Sequence, residues 1–233
     1  MSSDISIIIP TLDESTAIAS AVERAWATQP LEVLVVDGGS RDATCDIARQ
    51  RGAQVIESTC GRARQQNVGA QQAQGDVLLF LHADNWLADD GLRQIAEALS
   101  DPSILSGAFR QRIDASGWIY RAIERGNAYR AGRYGLPYGD QGIFVRRHAF
   151  EAVDRFPEVR LMEDLLLTRR LRRLAKPVLL PGPLWVSARR WQKNGVVRQT
   201  LRNWSLLLAE RLGAKPDTLA RYYPSHSGGW AEK

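Results

Sequence analysis

Three apolar runs in this chain of 233 residues end in polar side chains able to do chemistry. Thr11, Asp13 and Glu14 follow the run Ile5–Ile9 and Pro10. Asp37 follows Leu31–Val36 and opens the turn Asp37-Gly38-Gly39-Ser40. His82, Ala83 and Asp84 follow Val77–Leu81. A carboxylate at Asp37 accepts hydrogen bonds of the kind a nucleobase N–H offers. Gly38 and Gly39 let a ligand come close to the backbone. A carboxylate leaving a buried strand, as at Asp84, suits Mg²⁺ or Mn²⁺, which take oxygen ligands and substrate phosphates. Glu163 and Asp164 sit side by side within Leu161–Leu167, and two acids in an apolar stretch are costly unless used or paired. They are read either as proton-transfer groups or as helix-start charges facing Arg169, Arg170, Arg172 or Arg173. Arg62 and Arg64 open a helix, where backbone N–H groups and guanidinium forks both favour anions.

The elements that must position these residues alternate along the first hundred positions. Strands are expected at Ile5–Ile9, Leu31–Val36, Gln54–Glu57 and Val77–Leu81, and helices at Ser15–Ala27, Asp42–Arg51, Arg62–Ala73 and Asp90–Leu99. Unalternating apolar runs, each followed by a helix, predict an α/β fold with a mostly parallel sheet flanked by helices. Ligands of such sheets sit beyond the carboxyl ends of the strands, which is where Thr11, Asp37 and Asp84 fall. The second half reads as less regular. Gly107–Gly142 is rich in Gly, Tyr and Arg, Ile143–Arg146 is a strand, Leu161–Leu174 a helix, and Val178–Leu180 a short strand before Pro181-Gly182-Pro183. Val197, Leu201, Trp204, Leu208 and Leu212 share one face of a C-terminal helix over Val196–Leu212. No linker separates the halves, so 1–233 is expected to form one domain, with 1–105 as a nucleotide-binding half and 106–233 as an acceptor half.

Charge divides along the same line. Residues 1–105 carry a balance of −8 and residues 106–233 a balance of +13, giving the net +5. Such asymmetry points the second half toward an anionic partner. Cys45 and Cys60 form no CxxC, and His82, His148 and His226 are scattered, which speaks against a disulfide framework or a zinc site. The start MSSDISIIIP lacks the pattern of a secretory leader, and no apolar run nears the ~20 residues that span a bilayer. A cytoplasmic chain is expected, with peripheral membrane contact through Val196–Leu212, where Arg198 and Arg202 flank the apolar face. GxxxxGK[ST], GxGxxG and GxSxG are all missing, which counts against P-loop, dinucleotide-binding and serine-hydrolase chemistry.

Taken in order, Pro10-Thr11 with Glu14, the Val36-Asp37-Gly38-Gly39-Ser40 turn, His82-Ala83-Asp84, Glu163-Asp164 and Ser187-Ala188-Arg189-Arg190-Trp191 resemble the family-2 glycosyltransferases. Within them, the chain resembles a bacterial subgroup with a His-Ala-Asp motif described as associated with radical-SAM and selenium genes. The resemblance implies the GT-A fold, a Rossmann-type sheet with a helical C-terminal part. It also implies a nucleotide-sugar donor with Mg²⁺ or Mn²⁺. On it, Asp37 binds the base, Pro10, Thr11 and Glu14 line the nucleotide pocket, and Asp84 is the metal carboxylate. His82 and Asn85 stand where the family often has further Asp residues. Arg64 with Asn67 takes the place of an Arg-Asn pair that contacts the nucleotide, and Arg62 joins them. Asp164 is the general base with Glu163 beside it. Asp140 and Gln141, in Gly139-Asp140-Gln141-Gly142, face donor sugar or acceptor. Arg189 and Arg190 meet the diphosphate and Trp191 stacks on a sugar, although Ser187 replaces the Gln of processive members.

The expected reaction is a metal-assisted, inverting transfer to an acceptor hydroxyl, and many relatives use lipid-linked acceptors. Two other readings compete with this one. A nucleotidyltransferase acting on a sugar phosphate would carry a Gly- and Lys-containing loop after the first strand, and Pro10–Ser15 has neither residue. A nucleic-acid or acidic-lipid binding module would suit the basic half, but its arginines form no recognisable nucleic-acid motif, so no nucleic-acid partner is expected.

Overall fold

The four strands expected in the first hundred residues form the parallel half of one sheet. They are β1 (Ile5–Thr11), β2 (Glu32–Asp37), β3 (Gln54–Glu57) and β4 (Val77–Phe80), arranged β3-β2-β1-β4 with every neighbour parallel. The structure is a computed structural model that describes residues 4–196, 198, 200, 202, 205, 206, 209, 212–214 and 216–219. All of β1 and β4 is buried because helices cover both faces, which explains why these runs do not alternate with polar residues. On one face Ile7, Ile9, Val33, Val35 and Leu79 pack with α1 (Ile18–Ala27), α2 (Thr44–Gln50) and α4 (Gly91–Ala98). On the other, Ile8, Leu34, Val36, Leu78 and Phe80 pack with α3 (Arg62–Gln72), α6 (Arg147–Ala152) and α7 (Glu163–Leu174).

The second half continues the same sheet and is more regular than its composition predicts. The remaining strands are β5 (Asn85–Leu87), β6 (Ser106–Asp114), β7 (Ile143–Arg146) and β8 (Val178–Ser187). They extend the order to β3-β2-β1-β4-β7-β6-β8-β5. β7 runs antiparallel to both β4 and β6, β6 and β8 are parallel, and β5 is antiparallel to β8. The stretch read as irregular holds β6 and the 17-residue helix α5 (Trp118–Tyr134). The strand expected to stop at Leu180 passes through Pro181-Gly182-Pro183 to Ser187. The prolines are accommodated because the β6 register shifts there: Phe109 faces Leu180, and Gln111 faces Leu184, so the proline segment bulges out of the ladder.

After α8 (Arg189–Asn194), the described residues Val196, Arg198, Thr200, Arg202, Ser205, Leu206 and Ala209 are helical. Val197, Leu201, Trp204 and Leu208 of the expected apolar face lie outside the described residues. Leu212, the last member of that face, is 79% exposed, while Leu206 is buried against Met162, Leu165 and Leu219. No helix among the described residues is long and apolar enough to cross a membrane.

Candidate active site at the strand ends

Asp37 ends β2 opposite Thr11 of β1 and is 4% exposed. Its Oδ2 accepts hydrogen bonds from the backbone N–H groups of Gly39 and Ser40, both at 2.8 Å, and its Oδ1 accepts one from the Ser40 hydroxyl. The carboxylate therefore folds its own turn, with Gly39 at φ +96°, a value that favours glycine. Cys45 lies beside it. Burial, reinforced by the negative charge of Asp37, raises the Cys45 thiol to about 11, which makes it an unreactive neighbour. The loop after β1 is stapled to the same turn: Asp13 accepts from the Arg41 N–H at 2.8 Å, and the Ser15 N–H donates to Asp42 at 3.1 Å. Burial raises the Asp42 carboxyl, but hydrogen bonds from Thr44 and Ser15 outweigh it and hold the group at about 2.

Gln65, not singled out in the sequence, locks these ends together. It is fully buried on α3, and its Nε2 donates to the carbonyls of Thr11 and Val36, both at 2.8 Å. A Cβ on Gly38 would come within 3.0 Å of the Gln65 amide, so close contact with this clamp, rather than backbone conformation, calls for glycine there.

The second group of residues gathers around Gly139. Its N–H donates to Asp164 Oδ2 at 2.5 Å. The point where a Cβ on Gly139 would stand is 3.1 Å from His82 Nε2 and 3.2 Å from Asp164 Oδ2. His82, which leaves β4, and Asp164, in the first turn of α7, thus converge across a gap that only hydrogen fills. Asp164 Oδ1 accepts from the Leu165 N–H at 2.7 Å, fixing the carboxylate. The Asp140 carbonyl accepts from Asn85 Nδ2 at 3.3 Å and Gln111 Nε2 at 3.0 Å, tying this turn to the segment that carries the half-buried Asp84. Gln141 is fully buried, taking hydrogen bonds from Arg130 at 2.7 Å and the Tyr138 N–H at 3.2 Å. Arg130, also unremarked in the sequence, organises the turn. It lies 3.3 Å from the Tyr138 ring centre and donates to Asn127 and the Leu136 carbonyl. Burial lowers its pKa, and the nearby Tyr138, Asp140 and Asp164 oppose that shift.

The remaining candidates have defined partners. Arg62 pairs at 3.2 Å with Glu163, which is 3% exposed. Burial pushes the Glu163 pKa up, Arg62 pulls it back, and Asp164 raises it further. Arg64 binds Glu158 at 2.9 Å and Thr59 at 2.8 Å. Asn67 uses both ends of its amide on the Phe156 backbone, at 2.9 and 3.0 Å. Arg189 approaches Glu14 at 3.9 Å. Trp191 is buried edge-to-face on Tyr120, with ring centres 6.4 Å apart, a core contact rather than an open stacking platform. The Arg190 side chain lies outside those described. Pro10 is buried within β1 and Ala83 beneath the Asp84 loop. No three His, Cys, Asp or Glu side chains among the described residues cluster as a self-sufficient metal cage. Asp84 as a lone carboxylate is a donor set that fits a cation completed by phosphate oxygens, the usual arrangement for Mg²⁺.

Comparison with known proteins gives this arrangement a lineage. The chain is 28% identical over 172 residues to an undecaprenyl-phosphate 4-deoxy-4-formamido-L-arabinose transferase of Serratia proteamaculans, covering 64% of this chain and 51% of that protein. It is 29% identical over 136 residues to an N-acetylglucosaminyltransferase of Rhizobium sp., covering 52% and 30%. The chain thus spans about half or less of the length of these relatives. Its fold matches Staphylococcus aureus TarS 1–349 in complex with UDP-GlcNAc, with a TM-score of 0.61 at 19% identity, over 79% of this chain and 58% of that one. It also matches Mycobacterium tuberculosis glucosyl-3-phosphoglycerate synthase in complex with Mn²⁺, UDP and glucosyl-3-phosphoglycerate, with a TM-score of 0.52 at 18% identity, over 78% and 70%. These are GT-A folds, and the sheet described above is of that kind. The sequence pattern of Glycosyl transferase family 2 matches residues 6–158, from β1 through the Asp37 turn, Asp84 and Asp140 but short of Asp164; the chain belongs to that family.

Proposed function

We propose that the chain transfers a glycosyl group from a nucleotide-diphosphate sugar to an acceptor hydroxyl, inverting the anomeric carbon. The observation that carries this reading is the convergence of Asp164 and His82 on Gly139, with Asp84 following on the same strand-end loop. Donor phosphates, acceptor and base all meet there. Asp164 takes the proton of the acceptor hydroxyl as its oxygen bonds to the anomeric carbon. The bond to the diphosphate oxygen breaks, and its electron pair leaves with the nucleoside diphosphate. Glu163, neutralised by Arg62, holds the first turn of α7 so that Asp164 faces the gap. The Asp37 turn and Thr11 receive the nucleoside, and Arg189, which Glu14 approaches at 3.9 Å, meets the diphosphate. Mg²⁺ or Mn²⁺ held by Asp84 and the donor phosphates would supply charge neutralisation at the leaving group. The printed name of one relative, an undecaprenyl-phosphate 4-deoxy-4-formamido-L-arabinose transferase, supports an acceptor hydroxyl carried on a lipid-linked molecule.

The test has two parts. A panel of UDP-, GDP- and dTDP-sugars with Mg²⁺ or Mn²⁺ is screened by thermal shift. At about a hundred times Kd, the true donor stabilises by about 2.7 kcal/mol, a rise of roughly 5–10 °C for a chain of this size. Asp164→Asn keeps an acceptor for the Gly139 N–H but removes the base. It should retain that shift and lose about 10²–10⁴-fold in kcat. Full turnover in a folded Asp164→Asn protein would overturn the assignment of the base, and no shift with any nucleotide would overturn the proposal as a whole.

A further inference from the structure

Away from the strand-end site, one face of α5 is exposed among the described residues, its ring contacts being with Tyr134 of the same helix. Trp118, Ala122, Arg125, Tyr129 and Arg133 recur at i, i+4, i+7, i+11 and i+15, one stripe of a helix, and all five are exposed. Trp118 is 81% and Tyr129 63% exposed, unusual for residues of that size on a helix whose opposite face buries Tyr120, Glu124 and Ala131. The stripe borders a groove of about 570 Å³, lined by Arg110, Arg125, Tyr129, Arg133 and Lys176 above Val178 and Leu179. No acidic residue among those described lines it. None of the four cations makes an ion pair with another described residue, although neighbouring Arg112 and Arg121 are both paired with Glu124. Four uncompensated cations around one groove leave a strong positive potential.

We propose that this face of α5 docks on an anionic phospholipid bilayer, with the groove receiving lipid phosphate. Two features favour a bilayer over a soluble anion. Arg125 and Arg133 alternate along one face of α5 with Trp118 and Tyr129, amphipathic aromatics of the kind that settle at the headgroup level, and Arg110 of β6 and Lys176 before β8 extend the positive charge beyond that helix. Each Lys or Arg near an anionic surface adds to the attraction, and Trp118 and Tyr129 add apolar contact. The residues of this surface are not those of the C-terminal helix expected from the sequence to touch membranes, and the proposal does not depend on which acceptor the enzyme uses.

The full chain is sedimented with vesicles of phosphatidylglycerol and phosphatidylcholine, and with vesicles of phosphatidylcholine alone. The wild type should sediment with the first and not the second, and added salt should weaken that binding without abolishing it. Arg125→Glu with Arg133→Glu should weaken binding by at least about tenfold, and Trp118→Ala should weaken the binding that remains at high salt. Neither variant touches the strand-end site, so nucleotide-sugar turnover without vesicles should match the wild type, which keeps this test apart from that of the reaction. Equal binding by the double charge variant, binding to neutral vesicles alone, or binding to a single-stranded RNA but not to vesicles would each overturn the proposal.

Discussion

One close constraint on the site is a missing atom. Gly139 has unremarkable backbone dihedrals, yet a single methyl there would stand 3.1 Å from His82 Nε2 and 3.2 Å from Asp164 Oδ2. Both neighbours are side chains that can yield by a few tenths of an ångström, so the molecule should survive the change while the site loses its alignment. Gly139→Ala is expected to lower kcat by at least about tenfold and to leave the melting temperature nearly unchanged. Steady-state kinetics beside a thermal melt would check this, and a large fall in stability with unaltered kcat would contradict it. At this scale much was legible in the sequence. Asp37, Asp84 and Asp164 stand at strand ends or a helix start because carboxylates are excluded from the buried runs before them. Gln65 and Arg130 were not legible, because a buried amide or guanidinium is identified only by the carbonyls and aromatic ring it meets. Trp191 shows the converse: an aromatic beside two arginines reads as a sugar platform until its Tyr120 partner is known.

Strands β1 and β2 are joined at their carboxyl ends by more than their ladder. Gln65 of α3 donates to the last carbonyls of both, and the Gly38 N–H meets the Thr11 carbonyl at 2.9 Å. Removing the amide takes one donor from the buried Val36 carbonyl and leaves the Thr11 carbonyl with the Gly38 N–H. Gln65→Ala should therefore destabilise the chain by about 1–3 kcal/mol, a drop in Tm of roughly 3–10 °C, and should weaken nucleotide binding because the Asp37 turn loses its backing. Melting curves with and without the donor nucleotide would show both effects; unchanged stability would mean that the turn is held by Asp37 alone. Elements differ in how openly the sequence declares them. The first four strands were legible because parallel strands covered on both faces are continuous apolar runs. Helix α5 was not, because Gly126 and Gly132 interrupt it and its outer stripe of Trp118, Tyr129 and arginines obscures the apolar side. The far end of β8 was hidden by Pro181 and Pro183, which the bulge opposite Arg110 lets the strand absorb.

The acidic and basic halves of the chain share a single sheet. The halves meet at the β4–β7 ladder, with Val77 opposite Arg146 and Phe80 opposite Ile143, and again at the β5–β8 ladder, with Asn85 opposite Val186. Charge reinforces this seam. Arg147 of the basic half donates to the carbonyls of Ala70, Ala73 and Gly75 in the acidic half, at 2.8–3.0 Å. Arg146 reaches the Leu99 and Ile104 carbonyls. Arg62 meets Glu163, Arg64 meets Glu158, and Arg189 approaches Glu14. Part of the +13 balance of residues 106–233 thus meets backbone carbonyls of residues 1–105, and the arginines of the α5 groove are among those left facing solvent. The buried clusters cross the seam as well: Leu79 and Phe144 share one, Phe80 and Phe150 the other. Neither half has an apolar face that closes without the other, so we expect them to unfold together. Urea denaturation followed by tryptophan fluorescence and by far-ultraviolet circular dichroism should give coincident single transitions, because Trp26 and Trp86 report on the first half and Trp118, Trp185 and Trp191 on the second. Transitions separated between the two probes, or a fragment of residues 1–105 that folds with native-like cooperativity, would show that the nucleotide half is an independent domain and that the seam arginines join finished units rather than completing one.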